Sequence, residues 1–356
     1  MGPGMTHKLR IGYWPLSNSL TSAGDRRRLV YWARARGHTV VTDLTRRVDV
    51  LVASENADFN SNFFESAKTP LIFDLVDGYL SPLNPIDDIS RGVAKKISGQ
   101  ISGTVKPFSY HVKDFCKKAN LVVCSSAEQE TVIKLHNKNT QIILDSHDEI
   151  PLIIPSRNVD RPTSQNRILW EGQPATISGI NLIALTLKGL SEKHELYFDL
   201  ITDQKYFKVL NKYFQRDTLG LLEKNLHDII SKVNIVPWSV NALVNQAKEG
   251  TLAMIPIDLS VPIQALKPEN RLLIMWRLGL PCLTSASPAY SRVSISAGVD
   301  AVCESPEQWT EKFNQILTDR NFAYREVLKG QDYLHEQHNQ KILLHKWDTA
   351  IERALG

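Results

Sequence analysis

The stretch KPENRLLIMWRLGLPCLTS, from Lys267 to Ser285, sets two cations and an amide at the head of an apolar helix pattern. Pro268 suits the first helical position, where a missing N–H costs nothing. Gly279 suits the left-handed residue that ends a helix, and Pro281 blocks any return to helix. The apolar residues from Leu280 to Thr284 then read as a strand. The spacing predicts a helix N-terminus at residues 268–270, with Lys267, Asn270 and Arg271 around it. Helix N–H groups, an amide and cations can hold a phosphate and stabilise a departing one. The plainer reading is a surface helix whose cations are solvated. Ser287-Pro288 beyond the strand reads as an N-cap and first turn. Its hydroxyl and free N–H groups either reach the same phosphate or only cap.

These residues need elements to position them, and the chain supplies strands alternating with helices. Apolar runs at residues 9–14, 39–42, 48–53, 70–76, 121–124 and 141–144 read as strands. Helix patterns separate them, and residues 87–118 read as mostly helical and basic. Asp25 reads as the cap of a helix ending at Gly37. Residues 151–166 carry three prolines among Ser, Arg, Asn and Thr and read as a linker. The pattern then restarts with strands at 167–170, 195–201, 233–236, 251–255, 280–284 and 301–303, and with a helix from about Ile177 to Leu190. Such spacing predicts parallel sheets covered on both faces. The last helix pattern carries Leu343, Leu344 and Trp347 on one stripe. Ligands of open α/β sheets bind outside the carboxyl ends of the strands, so the site is expected there.

Composition agrees with two α/β domains in 356 residues. A net charge of +4 is too small to argue for nucleic acid. No apolar run is long enough to span a membrane. No signal-peptide pattern is visible, so a cytoplasmic chain is expected. Cys116, Cys124, Cys282 and Cys303 form no Cys-x-x-Cys. Buried thiols, and no metal site, are the reading.

The Lys267–Ser285 stretch, a polar segment running into a helix that ends Gly-Leu-Pro before a short strand, resembles the donor-binding helix of GT-B glycosyltransferases. The likeness is to the bacterial family 4-like group. The resemblance implies two Rossmann-like domains facing across a cleft. Residues 1–157 would form the acceptor side, residues 158–335 would bind a nucleotide-sugar, and residues 336–356 would cross back to the first domain. It implies that Gly172 lets backbone approach the donor. The strand ends at Thr202 and Trp238 would then surround the nucleoside, with Trp238 stacking on a base or covering the core. A loop holding Gly24 and Arg27 would close over the cleft. It also implies an acidic or histidine side chain beside the reacting sugar, where Asp77 is the choice for a general base. Asp25 and Asp74 come next.

The chain departs from the family in one respect. The two glutamates that many retaining members carry eight positions apart are replaced by Leu266 and Ile274, so retention does not follow. No Asp-x-Asp occurs, which fits a GT-B enzyme needing no bound metal or other cofactor beyond its nucleotide-sugar co-substrate. The reading is sugar transfer to a hydroxyl acceptor, a glycan or lipid-linked, as in bacterial surface polysaccharide synthesis. The lysines of residues 87–118 would touch an anionic membrane or form a solvated face. The rivals are a nucleotide-sugar epimerase of the same fold and a non-catalytic nucleotide- or sugar-binding subunit.

Overall fold

The computed structural model describes residues 7–61, 64, 68–81, 84–155, 166–207, 215–222 and 232–356. The chain forms two compact units. The first comprises Met1–His147, Pro262–Pro268 and Asn339–Gly356, and the second Asp148–Val261 and Glu269–His338.

In the first unit the strands are β1 (Arg10–Trp14), β2 (Thr39–Val41), β3 (Val50–Ser54), β4 (Leu71–Leu75), β5 (Leu121–Cys124) and β6 (Thr140–Ile142). They form one parallel sheet in the order β2-β1-β3-β4-β5-β6. Alternate residues point to opposite faces of a strand, and the core divides accordingly. Leu51, Ala53, Phe73, Leu75, Val122 and Cys124 pack on one side with Phe108, Val112 and Phe115 of the helix Phe108–Lys118. Val50, Val52, Ile72, Leu121 and Val123 pack on the other with Leu29 and Trp32. Leu344, Trp347 and Ile351 of the C-terminal helix Gln340–Leu355 complete that second face. Asp348 fixes this helix by accepting from the Trp32 indole at 2.7 Å.

In the second unit the strands are β7 (Asn166–Glu171), β8 (Leu196–Ile201), β9 (Lys205–Phe207), β10 (Gln215–Asp217), β11 (Val233–Val236), β12 (Leu252–Ile255), β13 (Cys282–Ser285) and β14 (Val302–Cys303). Six form a parallel sheet in the order β11-β8-β7-β12-β13-β14. Counted along the sheet's own strands this is the 3-2-1-4-5-6 order of a dinucleotide-type fold. The antiparallel ribbon β9–β10 stands apart.

The strands thus lie where the apolar runs predict them, while the connections differ. The ribbon β9–β10 has no counterpart in the sequence reading. The region 87–118 is two helices, Pro85–Ile97 and Phe108–Lys118, with Gly99 and Gly103 at positive φ between them. The helix expected from Ile177 begins instead as a 3-10 run, Pro174–Ile183, and becomes α-helical only over Ala184–Lys193. A Cβ on Gly179 would lie 2.3 Å from the Pro256 carbonyl oxygen, so the run is pressed against backbone. Of the expected linker, residues 156–165 lie outside the described residues. Within its start, Ile153 N donates to Arg277 O at 2.8 Å and Ile153 O accepts from the Gln331 amide. All four cysteines are free and buried. Burial pushes the Cys116, Cys124 and Cys303 thiols up to about 12, and Cys282 further still. None is poised to react.

Candidate functional site

In the first unit the sheet order makes the gap between β1 and β3 the topological switch point, where open α/β sheets gather ligands. Acidic side chains follow the nearby strand ends, and most are committed to the fold. Asp25 is fully buried. It accepts from the Tyr13 hydroxyl at 2.7 Å, from Leu16 N and Ser17 N at 2.8 and 2.9 Å, and from the Ser17 and Ser22 hydroxyls at 2.8 and 2.6 Å. Five donors saturate it, so it shapes the loop and is not an accessible base. Nor is it the cap: Ser22 caps the short helix Ala23–Arg26. Gly24 serves the same loop, since a Cβ there would sit 2.3 Å from Leu16 Cδ1. Arg27 is buried, and its carbonyl accepts from Ser146 N. Arg28 is buried completely and binds Asp74 at 2.6 Å and the Ile143 carbonyl at 2.6 Å. That pairing also removes Asp74 from the list of bases.

Asp77 differs. Its side chain is 37% exposed, with Lys267 Nζ 3.8 Å away. Its turn is clamped from two sides. Glu55, just beyond β3 and buried, accepts from Val76 N at 2.9 Å and Asp77 N at 3.0 Å through one carboxyl oxygen. The Gln129 amide donates to Leu75 O and Asp77 O, both at 2.9 Å. Burial, then the charge of Asp77, pushes the Glu55 carboxyl up to about 8. Sequence reasoning missed Glu55, and its only signal was an acidic residue directly after an apolar strand. Lys267 belongs to this unit because Pro262–Pro268 packs here. Ser126 Oγ donates to Leu266 O at 2.8 Å, and a Cβ on Gly78 would lie 2.9 Å from the Leu266 Cβ.

In the second unit the switch point lies between β7 and β12. The helix Asn270–Arg277 begins nearby in sequence and has no side-chain cap. Its first helical residue is Asn270, not Pro268. Pro268 lies in the lead-in after a turn in which Lys267 N donates to Gln264 O. The C-terminal end follows expectation: Gly279 has φ of 73°, and a Cβ there would meet the Ile153 carbonyl at 2.6 Å. Asn270 Oδ1 is buried without a hydrogen-bond partner among the described residues. The same holds for Thr202 Oγ1 at the end of β8, whose N–H donates to Val236 O.

Arg271 does not stand free at the helix head. Its guanidinium lies 5.1 Å from the centroid of the Trp170 ring, pairs with the Glu171 carboxylate at 3.6 Å and donates to the Glu171 carbonyl. Glu171 also accepts from the Trp238 indole at 2.9 Å. Trp238 is therefore half-buried and held edge-on by a carboxylate, which anchors the end of β11 to the end of β7. Glu171 is the organiser here, a role the sequence did not show because only the adjacent Gly172 carried a recognisable purpose. A Cβ on Gly172 would touch Thr176 Oγ1 and the Trp170 ring at 3.0–3.1 Å, so this glycine serves packing. Ser287 is buried and accepts from Tyr290 N at 3.3 Å as the cap of Pro288–Ala297. Pro288 at its first turn agrees with the sequence reading. Among the described residues no group of three or more His, Cys, Asp or Glu side chains could hold a metal ion.

No family model matches the chain, and no curated protein matches its sequence. Solved structures do match. WaaG, a glycosyltransferase involved in lipopolysaccharide biosynthesis, aligns with a TM-score of 0.55 at 14% identity, over 98% of this chain and 100% of WaaG. Sucrose-phosphate synthase from Thermosynechococcus elongatus aligns with a TM-score of 0.60 at 12% identity, over 96% of this chain and 80% of that one. TarM aligns with a TM-score of 0.58 at 11% identity, over 85% of this chain. The fold is GT-B. The chain spans only about half of TarM, 54% of its length. The GT-B fold explains why polar atoms gather at the carboxyl ends of both parallel sheets, the ends where ligands bind such sheets.

Proposed function

We propose that the chain is a glycosyltransferase that moves a sugar from a nucleotide-sugar to a hydroxyl acceptor. The observation that carries this reading is the head of Asn270–Arg277. It is an uncapped helix N-terminus on a unit with dinucleotide-type strand order, and its Asn270 Oδ1, unpartnered among the described residues, can accept from a nucleoside hydroxyl or N–H. Uncapped N–H groups and the helix dipole suit a diphosphate. Lys267, three residues upstream in sequence, is a 35% exposed cation beside Asp77 in the first unit. The helix N–H groups take the charge of the leaving nucleotide, and the reaction proceeds without a divalent ion. Arg271 acts indirectly, by fixing Glu171. The first unit supplies the acceptor side, with Asp77 as the base if the anomeric centre inverts. A TarM variant from S. aureus has been crystallised with UDP, and a uridine nucleotide is the first donor to try. The acceptor is a glycan of the bacterial surface, and a lipid-linked one would bring this cytoplasmic enzyme to the inner face of the membrane.

A thermal-shift screen against UDP, GDP, CMP and dTDP, with and without EDTA, tests the reading. A ligand at 100 times its Kd adds about 2.7 kcal/mol, so one nucleotide should stand out, and should do so equally in EDTA. No shift with any of them would overturn it. The replacement of the glutamate pair by Leu266 and Ile274 keeps a second reading in view, a nucleotide- or sugar-binding subunit without turnover. Binding without donor hydrolysis or transfer would favour that reading.

A further inference from the structure

The helix Pro85–Ile97 is built inside out. Asp88 and Gly92, with Arg91 and Lys95 beside them, form the face that packs onto the first unit. Asp88 accepts from Ser109 N at 2.9 Å and from the Ser109 hydroxyl at 2.5 Å. Arg91 lies over the Tyr79 ring at 5.7 Å, and Lys95 over the Phe108 ring at 5.1 Å. A Cβ on Gly92 would lie 1.9 Å from the Lys106 carbonyl, so the helix axis is pulled tight against that backbone. The outward face is apolar. Ile86 is 74% exposed, Ile89 48%, Val93 38% and Ile97 66%. At about 100° per residue these four share an arc of roughly 80°, nearly opposite the anchored face. A water-facing helix normally shows the reverse arrangement.

The surroundings decide what covers this stripe. Lys96 flanks it on the same helix. Ile89 shares a groove with Tyr110 and Lys113, and Lys106 Nζ sits 4.1 Å from the centroid of the Tyr110 ring. Residues 84–118 hold seven Lys and Arg against three carboxylates. Val105 and Tyr110, about half exposed, extend the apolar surface. An apolar stripe rimmed by cations and an exposed tyrosine has the chemistry of an interfacial helix lying in the plane of an anionic bilayer. A second copy of the chain would bring the same cations face to face.

We propose that the outward face of Pro85–Ile97 docks the first unit onto an anionic lipid bilayer, with Ile86, Ile89, Val93 and Ile97 entering the headgroup boundary. Lys96, Lys106 and Lys113 meet lipid phosphates there. The proposal rests on this surface alone and stands or falls separately from nucleotide binding.

Co-sedimentation with vesicles of phosphatidylcholine, with and without phosphatidylglycerol, tests it on the full chain. The wild type should bind the phosphatidylglycerol vesicles and release as salt is raised. Ile86→Ser with Ile97→Ser should lower the partition about a hundredfold, roughly tenfold for each isoleucine no longer buried. Its melting temperature should stay at the wild-type value, because both side chains already face solvent. Lys96→Gln with Lys113→Gln should weaken binding and flatten the salt dependence. Absence of wild-type binding, or equal binding by the double serine variant, overturns the proposal. So does a concentration-dependent dimer that the serine variant dissolves while vesicle binding is missing.

Discussion

The carboxyl ends of the two sheets are polar in opposite ways. In the first unit the acidic groups are tied to partners, with Asp25 holding five donors and Asp74 holding Arg28. Of the acidic groups there, Asp77 keeps an accessible carboxylate, on a turn that Glu55 and Gln129 clamp. In the second unit the ion pair Arg271–Glu171 is likewise structural, but neutral groups are left over. Among the described residues Asn270 Oδ1 and Thr202 Oγ1 are buried without partners, and the helix head has no side-chain cap. A buried polar atom without a partner costs about 1–3 kcal/mol, and a ligand can recover that. One edge is thus a rigid frame around a single acid, and the other is a set of open hydrogen-bonding sites. Under the proposed function a base has to be held in place and a nucleotide received, which is the contrast the two edges offer.

Removing the single acid gives the largest expected effect. Asp77→Asn keeps size and loses basicity. If product NMR shows inversion, kcat should fall about 10²–10⁴-fold, the usual share of general-base catalysis, with nucleotide affinity unchanged. Near-normal turnover in an inverting enzyme would dismiss Asp77, and the structure offers neither Asp25 nor Asp74 as a replacement. The frame itself should fail when its central ion pair is broken. Arg28→Met leaves Asp74 buried without its cation and should cost about 3–5 kcal/mol in urea unfolding. A loss below about 1 kcal/mol, the range of exposed pairs, would show that this edge is not the rigid one.

Glu55 sharpens the same point through pH. Its carboxyl is raised to about 8 in the fold and lies near 4.3 in an unfolded chain. The folded state therefore holds a proton that the unfolded state has released. The contribution to stability is full below about pH 4.3, is lost as pH rises towards 8, and is flat beyond. The slope in that window is at most about 1.4 kcal/mol per pH unit. Glu55→Gln should remove it, so the variant gains on the wild type between pH 5 and pH 8 in chemical denaturation. Parallel curves for the two proteins would mean that Glu55 is ionised in the fold.

How much of this was legible in the sequence follows from the range of the forces involved. Strand positions follow from runs of apolar residues, which are local, and so does the left-handed Gly279 before Pro281. The head of the donor-like helix was legible as a composition but misplaced in register, with Pro268 assigned the position that Asn270 holds. The partners were not legible. Arg28 meets Asp74 across 46 residues of chain, and Arg271 meets Glu171 across 100. Nothing local tells a cation destined for a carboxylate from one left for a phosphate. The same blindness placed Asp25 among the bases, because five donors converge on it only after the loop closes. The inverted helix Pro85–Ile97 was read by its lysines alone, as a solvated face or a membrane contact, and its isoleucines drew no reading.

The open edge should respond to smaller changes. Asn270→Ala removes the Oδ1 that is unpartnered among the described residues, an oxygen that can accept from a ribose hydroxyl or base N–H, and should weaken nucleotide binding about two- to tenfold, the range for a neutral hydrogen bond at about 0.5–1.5 kcal/mol. Folding stability should hold or rise slightly, since a buried unpaired oxygen is deleted. Arg271→Ala should do the opposite, lowering stability through Glu171 and Trp238 as well as affinity. If the two variants behave alike by calorimetry and urea unfolding, Asn270 is a structural residue and the open edge is not open there.

The smallest effect belongs to Ser287, where the sequence left cap and phosphate ligand equally open. The structure shows the hydroxyl buried and bonded to Tyr290 N. Ser287→Ala should therefore cost about 1 kcal/mol, within the 0.5–2 kcal/mol range of lost N-caps, and leave the nucleotide Kd within about threefold. The serine oxygen has two lone pairs and one proton, so the cap bond alone does not exhaust it. A second bond to phosphate would need the hydroxyl proton to point out of the core, and the residue is 1% exposed. Loss of affinity exceeding tenfold in Ser287→Ala, with stability intact, would place Ser287 among the open groups, and the second edge would then present two helix heads to the nucleotide instead of one.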